Sequence, residues 1–225
     1  MFLTRIELDP GRRLARKYLG SPQVMHAVIM KAAGDAPPEG PGRVLWRVDR
    51  GATTLLYLLT PVEPDCEQIL TEACAPGQQA RTLDYSPFLG RLDTGQVWAF
   101  RLTANPSRAV PQGAGARGKR FGHVTIEQQR TWLVDRVPGY GFELLPAAGD
   151  AAESSLTVVR RARPVFGREN PEQGRLDRVT INQTVYEGRM RVTEPDTLRQ
   201  ALVEGIGRSK AYGCGLMTLA RPHQG

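Results

Sequence analysis

The sequence predicts an α+β fold made of two tandem domains, and three observations predict it. The first half of the chain alternates short apolar strand patterns with amphipathic helical ones in the order strand, helix, strand, strand, helix, strand. The same order can be traced again after a glycine-rich basic stretch. A chain of 225 residues is long enough to bury two small cores. That element order is the split βαβ pattern of a ferredoxin-like (RRM-like) βαββαβ domain. The expected division is 1–104 for the first domain, 105–124 for a connector and 125–225 for the second.

Phe2 to Leu8 alternates apolar and polar residues and opens the first domain as a strand. A basic loop with Arg12, Arg13, Arg16 and Lys17 follows, its three arginines being candidate contacts to a phosphate backbone. Ser21 then caps a helix with Pro22 in its first turn, running to about Ala33. Residues 34–42 form a Gly/Pro-rich loop. Val44–Val48 and Leu55–Leu59 are two strands joined near Gly51, Pro64–Cys74 is a weaker helix, and Gln96–Thr103 closes the domain as its last strand. The connector carries Gly118, Lys119, Arg120 and Gly122. In the second domain Thr125 and Gln128 have the spacing of a capping box. Strands are expected at 141–145, 156–165, 176–186 and 189–192, a helix at 194–205 and a final strand at 216–220.

Composition narrows the function. A formal net charge of +7 favours polyanionic partners without choosing among them. Cys66, Cys74 and Cys214 form neither a disulfide framework nor a metal signature. No apolar run is long enough to span a bilayer and the N-terminus reads as a strand, so the expectation is a cytoplasmic protein with no membrane partner. Aromatic residues are 7% of the chain, too few to advertise a base-stacking sheet.

The segment Gly205-Ile206-Gly207-Arg208-Ser209-Lys210-Ala211-Tyr212-Gly213-Cys214-Gly215 is the most informative. Gly205, Gly207, Gly213 and Gly215 let a backbone approach an anion, and Arg208 and Lys210 bring charge to the same place, with Ser209 between them. It lacks the Gly-Lys-Ser/Thr ending of a Walker loop. Arg160, Arg161 and Arg163 lie in one strand, where Arg161 and Arg163 share a face that can follow a phosphate backbone. Among His26, His123 and His223, His26 stands out. On a helical projection it sits at the margin of the apolar arc, beside Gln23 and Met30, so it can reach a ligand while its helix stays anchored. Lys31 projects toward the opposite margin. No ligand spacing calls for a metal, and no cofactor is implied. RNA is a substrate that needs none, because its 2′-hydroxyl is a built-in nucleophile. A catalyst then needs in-line geometry, a proton acceptor or donor, and cations at the phosphate. A non-catalytic RNA-binding module and a structural subunit whose charge meets protein partners fit the same composition.

Several stretches taken together resemble a known family. They are Met1-Phe2-Leu3-Thr4-Arg5, Pro22-Gln23-Val24-Met25-His26, Val44-Leu45-Trp46-Arg47, Arg101-Leu102-Thr103-Ala104-Asn105-Pro106, Gly118-Lys119-Arg120 and the glycine-rich segment through Leu216. In that order they resemble the CasE-type CRISPR-associated endoribonucleases, the repeat-processing subunits of type I-E Cascade. The resemblance implies metal-independent cleavage at the base of the CRISPR repeat hairpin, giving a 5′-hydroxyl and a 2′,3′-cyclic phosphate. It also implies retention of the mature guide RNA and assembly with other Cascade subunits, especially a backbone subunit. It implies that His26 transfers a proton and that Lys31 steadies the phosphate. Lys119, Arg120, Arg160, Arg161 and Arg163 would face the hairpin, and the glycine-rich segment would lie beside the RNA. One departure stands out: some relatives carry a tyrosine one turn before the histidine, where this chain has Gln23, which cannot act as a phenolic acid or base. Tyr18 and Lys31 are the candidates to compensate.

Overall fold

The computed structural model describes residues 1–34, 42–110, 119–147, 150–170 and 175–222. It is an α+β protein that divides into two compact units, Met1–Leu92 with Arg199–Leu216, and Asp93–Leu198 with Met217–Gly225.

The first unit begins with β1 (Phe2–Leu8), in which Thr4, Ile6 and Leu8 are buried while Arg5 and Glu7 face out, the period of two expected of a half-buried strand. The basic stretch that follows is not a loop but helix α1 (Arg13–Gly20). Its buried Ala15 and Tyr18 give the arginine-rich run an inner face, and that tertiary packing outweighs its polarity. Helix α2 (Pro22–Ala33) begins as its sequence dictates, with Ser21 Oγ accepting from the Val24 N–H at 3.3 Å and Pro22 in the first turn. Met25, Ile29, Ala32 and Ala33 are its buried stripe. Strands β2 (Leu45–Arg50) and β3 (Thr54–Thr60), helix α3 (Glu67–Ala73), β4 (Arg81–Asp84) and the short α4 (Ser86–Gly90) follow. The sheet order is β2-β3-β1-β4, antiparallel throughout, and Ile6, Met25, Ile29, Leu56, Leu58 and Ile69 share one core.

The strand expected to close this domain belongs elsewhere. β5 (Val97–Ala104) pairs with the strands of the second unit, and β4 takes the edge of the first sheet. β4 is only four residues of largely exposed side chains, so it lacks the apolar signature that β5 displays. The first unit accordingly runs to Leu92 rather than to residue 104.

The stretch expected as a connector contains a hairpin, β6 (Ser107–Val110) with β7 (Lys119–Gly122). Helix α5 (Ile126–Val134) starts with the full capping box of Thr125 and Gln128. Then come β8 (Phe142–Leu144), the pair β9 (Pro146–Ala147) and β10 (Asp150–Ser154), β11 (Thr157–Ala162), the hairpin β12 (Val165–Asn170) and β13 (Arg175–Thr180), and β14 (Gln183–Val192). Helix α6 (Pro195–Glu204), through which the division between units passes, and β15 (Met217–Ala220) complete the chain. The second sheet runs β11-β14-β5-β15, with β8 also on β14. Phe100 packs on Phe142 (5.9 Å between ring centroids), and the Tyr186 hydroxyl donates to the Gln129 carbonyl at 2.8 Å. Sheets and helices in this arrangement are consistent with ferredoxin-like architecture. No helix among the described residues is long and apolar enough to cross a membrane.

Candidate active site

A cleft of about 830 Å³ in the first unit is lined by His26 and Met30 of α2, by Gly42, Arg43, Val44 and Pro61, and by residues 207–211 of the glycine-rich segment. Helix periodicity explains its floor. His26 and Met30 are one turn apart, at the edge of the stripe that Met25 and Ile29 bury.

The opposite wall is held in place by β2. At Gly205 and Gly213, both with positive φ, an added Cβ would lie 2.8 Å from Leu45 and from the Trp46 ring respectively. Arg47, 1% exposed, pairs with Asp49 at 2.8 Å, donates to the Leu216 carbonyl at 3.1 Å and stacks over the Tyr57 ring. The Arg43 N–H donates to the Val203 carbonyl at 3.2 Å, and the Ile206 N–H to that of Gly215 at 2.9 Å. These contacts give the glycines a reason the sequence did not suggest. Gly205 and Gly213 admit neighbouring side chains, and Gly215 admits Lys210 (3.1 Å from an added Cβ). Of the segment's glycines, the cleft lining includes Gly207.

His26 is half-buried. Its Nδ1 is sealed from solvent and has no hydrogen-bond partner, so Nε2 is the nitrogen left to meet a ligand. Burial holds its pKa below the ordinary 6.5, favouring the neutral imidazole. Burial and the nearby Arg43 charge also lower the Lys210 pKa, with Glu204 opposing them. A bound anion would stabilise the charged forms of these crowded cations.

The structure gathers some expected residues and separates others. His26, Gly207, Arg208, Ser209 and Lys210 share the cleft. Lys31 is exposed on α2 and is not among the residues lining it. Tyr18 is not there to compensate for Gln23 either: it is 4% exposed and its hydroxyl donates to Glu72. Gln23 itself is exposed. Arg12 donates to the Cys74 carbonyl and Arg16 to those of Pro10 (3.1 Å) and Gly11 (2.6 Å), so both brace the turn ahead of α1, while Arg13 is exposed. In the second unit Arg161 and Arg163 line a small cavity of about 280 Å³ with Val124, Asn182 and Gln183. Arg163 lies just past the end of β11, and a register shift after Val158 precedes Arg160. Lys119 and Arg120 are in β7; their side chains, and His223, fall outside what is described. His123 is held by its backbone, whose N–H donates to the Pro106 carbonyl at 2.9 Å. Arg43 was missed at the sequence level, being a lone cation after a Gly/Pro-rich stretch with no local pattern to mark it.

All three cysteines are buried free thiols, and burial pushes Cys66 and Cys74 up to about 11. Among the described residues no three His, Cys, Asp or Glu side chains gather into a possible metal site.

A protein-family model described as CRISPR associated protein matches residues 1–221. The CRISPR-associated endoribonuclease Cse3 of Thermus thermophilus is 33% identical over 227 residues, covering 98% of this chain and 100% of its own. The chain belongs to the Cse3/Cas6e family of CRISPR-associated endoribonucleases. Among solved structures, Cse3 bound to a 19-nucleotide RNA superposes with a TM-score of 0.78 at 28% identity, covering 98% of this chain and 100% of that one. Thermus thermophilus Cse3 bound to an RNA representing a pre-cleavage complex gives 0.74 at 29% identity, covering 97% and 98%. The Cas6e structure from Escherichia coli, at 16% identity and a TM-score of 0.62, covers 99% of this chain and 100% of that one and shares the fold.

Proposed function

We propose that this member of the Cse3/Cas6e family is a metal-independent endoribonuclease that cleaves a CRISPR repeat hairpin using the RNA's own 2′-hydroxyl. The observation that carries the reading is a half-buried His26 lining one cleft with Arg43, Arg208 and Lys210. Nε2 of the neutral imidazole takes the 2′-hydroxyl proton. The 2′-oxygen forms a bond to phosphorus as the bond to the 5′-oxygen breaks; that oxygen takes a proton from solvent water, and the imidazolium returns its own proton to solvent. The ends are a 2′,3′-cyclic phosphate and a 5′-hydroxyl. The phosphate's growing charge falls to the three cations, already in place before the RNA arrives. Lys210 supplies the role the family resemblance suggests for Lys31, which serves at most at a distance.

Exposed arginines of the second unit, Arg160, Arg161 and Arg163, take the hairpin's phosphates, with Lys119 and Arg120 of β7 contributing to the same grip. The product guide RNA is retained and carried in the cytoplasm into a Cascade assembly, next to a backbone subunit. Both units are read as ferredoxin-like copies, β5, α5, β8 with β11, β14, α6 and β15 standing in the second for the βαββαβ elements of the first.

The test pairs cleavage with binding. His26→Ala is expected to lower single-turnover cleavage of a repeat hairpin by on the order of 100- to 10,000-fold while leaving hairpin affinity intact. The parent protein is expected to cleave in excess chelator. Loss of activity in chelator, or full activity in the alanine variant, contradicts the proposal. A hairpin that binds but is never cut by the parent protein favours the non-catalytic binding module.

A further inference from the structure

An imidazole that moves a proton is normally oriented through its second nitrogen, by a hydrogen bond to a carboxylate, a carbonyl or water. His26 lacks that device: Nδ1 is buried and unpartnered. What meets the ring instead is Tyr212, whose ring lies edge-on to the imidazole with centroids 6.4 Å apart and planes at 65°. This is the edge-to-face geometry that aromatic quadrupoles favour.

Tyr212 is itself held firmly. It ends a 3-10 turn over Lys210–Tyr212, between Ser209 at φ 63° and Gly213 at φ 76°. Its N–H donates to the Ser209 carbonyl at 2.9 Å. The Trp46 ring, 3.1 Å or less from any Cβ built at Gly213, fixes the backbone on the other side. Ser209 is the one non-glycine with positive φ among the described residues, a conformation that serine adopts only where its surroundings over-determine it. The same turn that delivers Lys210 to the cleft therefore delivers an aromatic ring to the histidine.

We propose that Tyr212 is the positioning residue of the active site, setting the plane of the His26 ring by an aromatic contact where other imidazoles use a hydrogen bond. The proposal rests on the reading of His26 as the proton acceptor. It also gives this chain an answer to Gln23. The aromatic ring comes from the glycine-rich segment rather than from the preceding turn of α2, and it acts by packing, not by its hydroxyl. With Nδ1 sealed from solvent, Nε2 is the nitrogen left for the cleft that His26 lines. The charged groups facing that cleft are Arg43, Arg208 and Lys210, and burial is the cause of the His26 shift.

The experiment compares Tyr212→Ala, Tyr212→Leu and Tyr212→Phe in the full chain. Three quantities are read: the His26 pKa by NMR titration without RNA, the single-turnover cleavage rate, and hairpin affinity. Tyr212→Phe is expected to match the parent in all three. Tyr212→Ala is expected to raise the His26 pKa toward 6.5 as the ring gains water, and to slow cleavage by about 100-fold with affinity unchanged, the scale of a misplaced reacting group. Tyr212→Leu, which keeps apolar bulk without an aromatic edge, is expected to slow cleavage while leaving the pKa low, and it decides the matter if the alanine variant does not fold. A Phe variant as impaired as Ala, or a Leu variant as active as the parent, overturns the proposal. The RNA-free titration keeps this test separate from the enzyme reading. If His26→Ala still cleaves RNA, the mechanism fails, yet a His26 pKa that follows residue 212 still reports their contact.

Discussion

Around His26, positive charge comes from separate stretches of chain, an exposed Arg43 ahead of β2 and an exposed Arg208 with a half-buried Lys210 beyond α6, and lines one cleft. Along and just past β11, Arg160, Arg161 and Arg163 are close in sequence and all exposed. The partial burial of His26 and Lys210 is what sets the cleft apart. In the cleft it depresses the Lys210 and His26 pKa values, so the protein has already met part of the cost of taking those groups out of water, and an incoming phosphate gains from it. Along and just past β11 the arginines are exposed, Arg161 donating to the Val124 carbonyl, and any pull they exert on a polyanion is screened by salt. The proposed function gives chemistry to the first region and grip to the second.

That contrast can be broken by substitution, starting where the effect is largest. Lys210→Ala is expected to slow cleavage by roughly 100- to 1,000-fold, as loss of a preorganised transition-state cation does elsewhere. Lys31→Ala, outside the cleft lining, should cost far less; single-turnover rates of the pair decide, and equal losses would return Lys31 to the site. Next comes the loop's support. Gly213→Ala puts a Cβ against the Trp46 ring at a φ of 76°, and is expected to destabilise the protein by about 1–3 kcal/mol, read as a shift in denaturant midpoint. An unchanged midpoint would mean that the loop's packing on β2 is loose. The smallest effect on chemistry belongs to β11. The double variant Arg161→Ala and Arg163→Ala should leave the rate at saturating RNA unaltered. It should weaken hairpin binding and flatten the slope of log affinity against log salt by about 2, one per lost phosphate contact. A changed rate at saturation would blur the division between the two regions.

How much of this was legible in the sequence follows from where the information lies. Ser21-Pro22 ahead of α2 and Thr125 with Gln128 ahead of α5 are local signals, written in a few adjacent residues, and both caps form. β1 announced itself by alternation, and His26 by its place on the rim of an apolar stripe. β4 was illegible because a four-residue exposed edge strand has no apolar pattern; its place is set by backbone pairing to Phe2–Arg5. α1 was illegible because Arg12, Arg13, Arg16 and Lys17 read as a solvated loop until the buried Ala15 and Tyr18 are seen between and beyond them. The cleft could be half read. Its histidine and its glycine-rich wall each carry a motif, whereas Arg43 and the Tyr212 ring enter through tertiary contacts that no short spacing encodes. Gly205 and Gly213 carried a signal to which the structure adds a cause: they make room for Leu45 and Trp46.

Neutral His26 is proposed to accept the proton of the attacking hydroxyl, and the sharpest check is the pH dependence of single-turnover cleavage at RNA concentrations well below saturation, which reports the RNA-free protein's ionisation. Because burial lowers the His26 pKa, the acceptor form already predominates at pH 6.5, the ordinary histidine value. The rate is therefore expected to climb as pH rises through a midpoint below 6.5 and then to level off, a limb that His26→Ala removes. A rate that falls across that same range, with the limb again abolished by the alanine variant, would make the imidazolium a proton donor and overturn the acceptor role of His26.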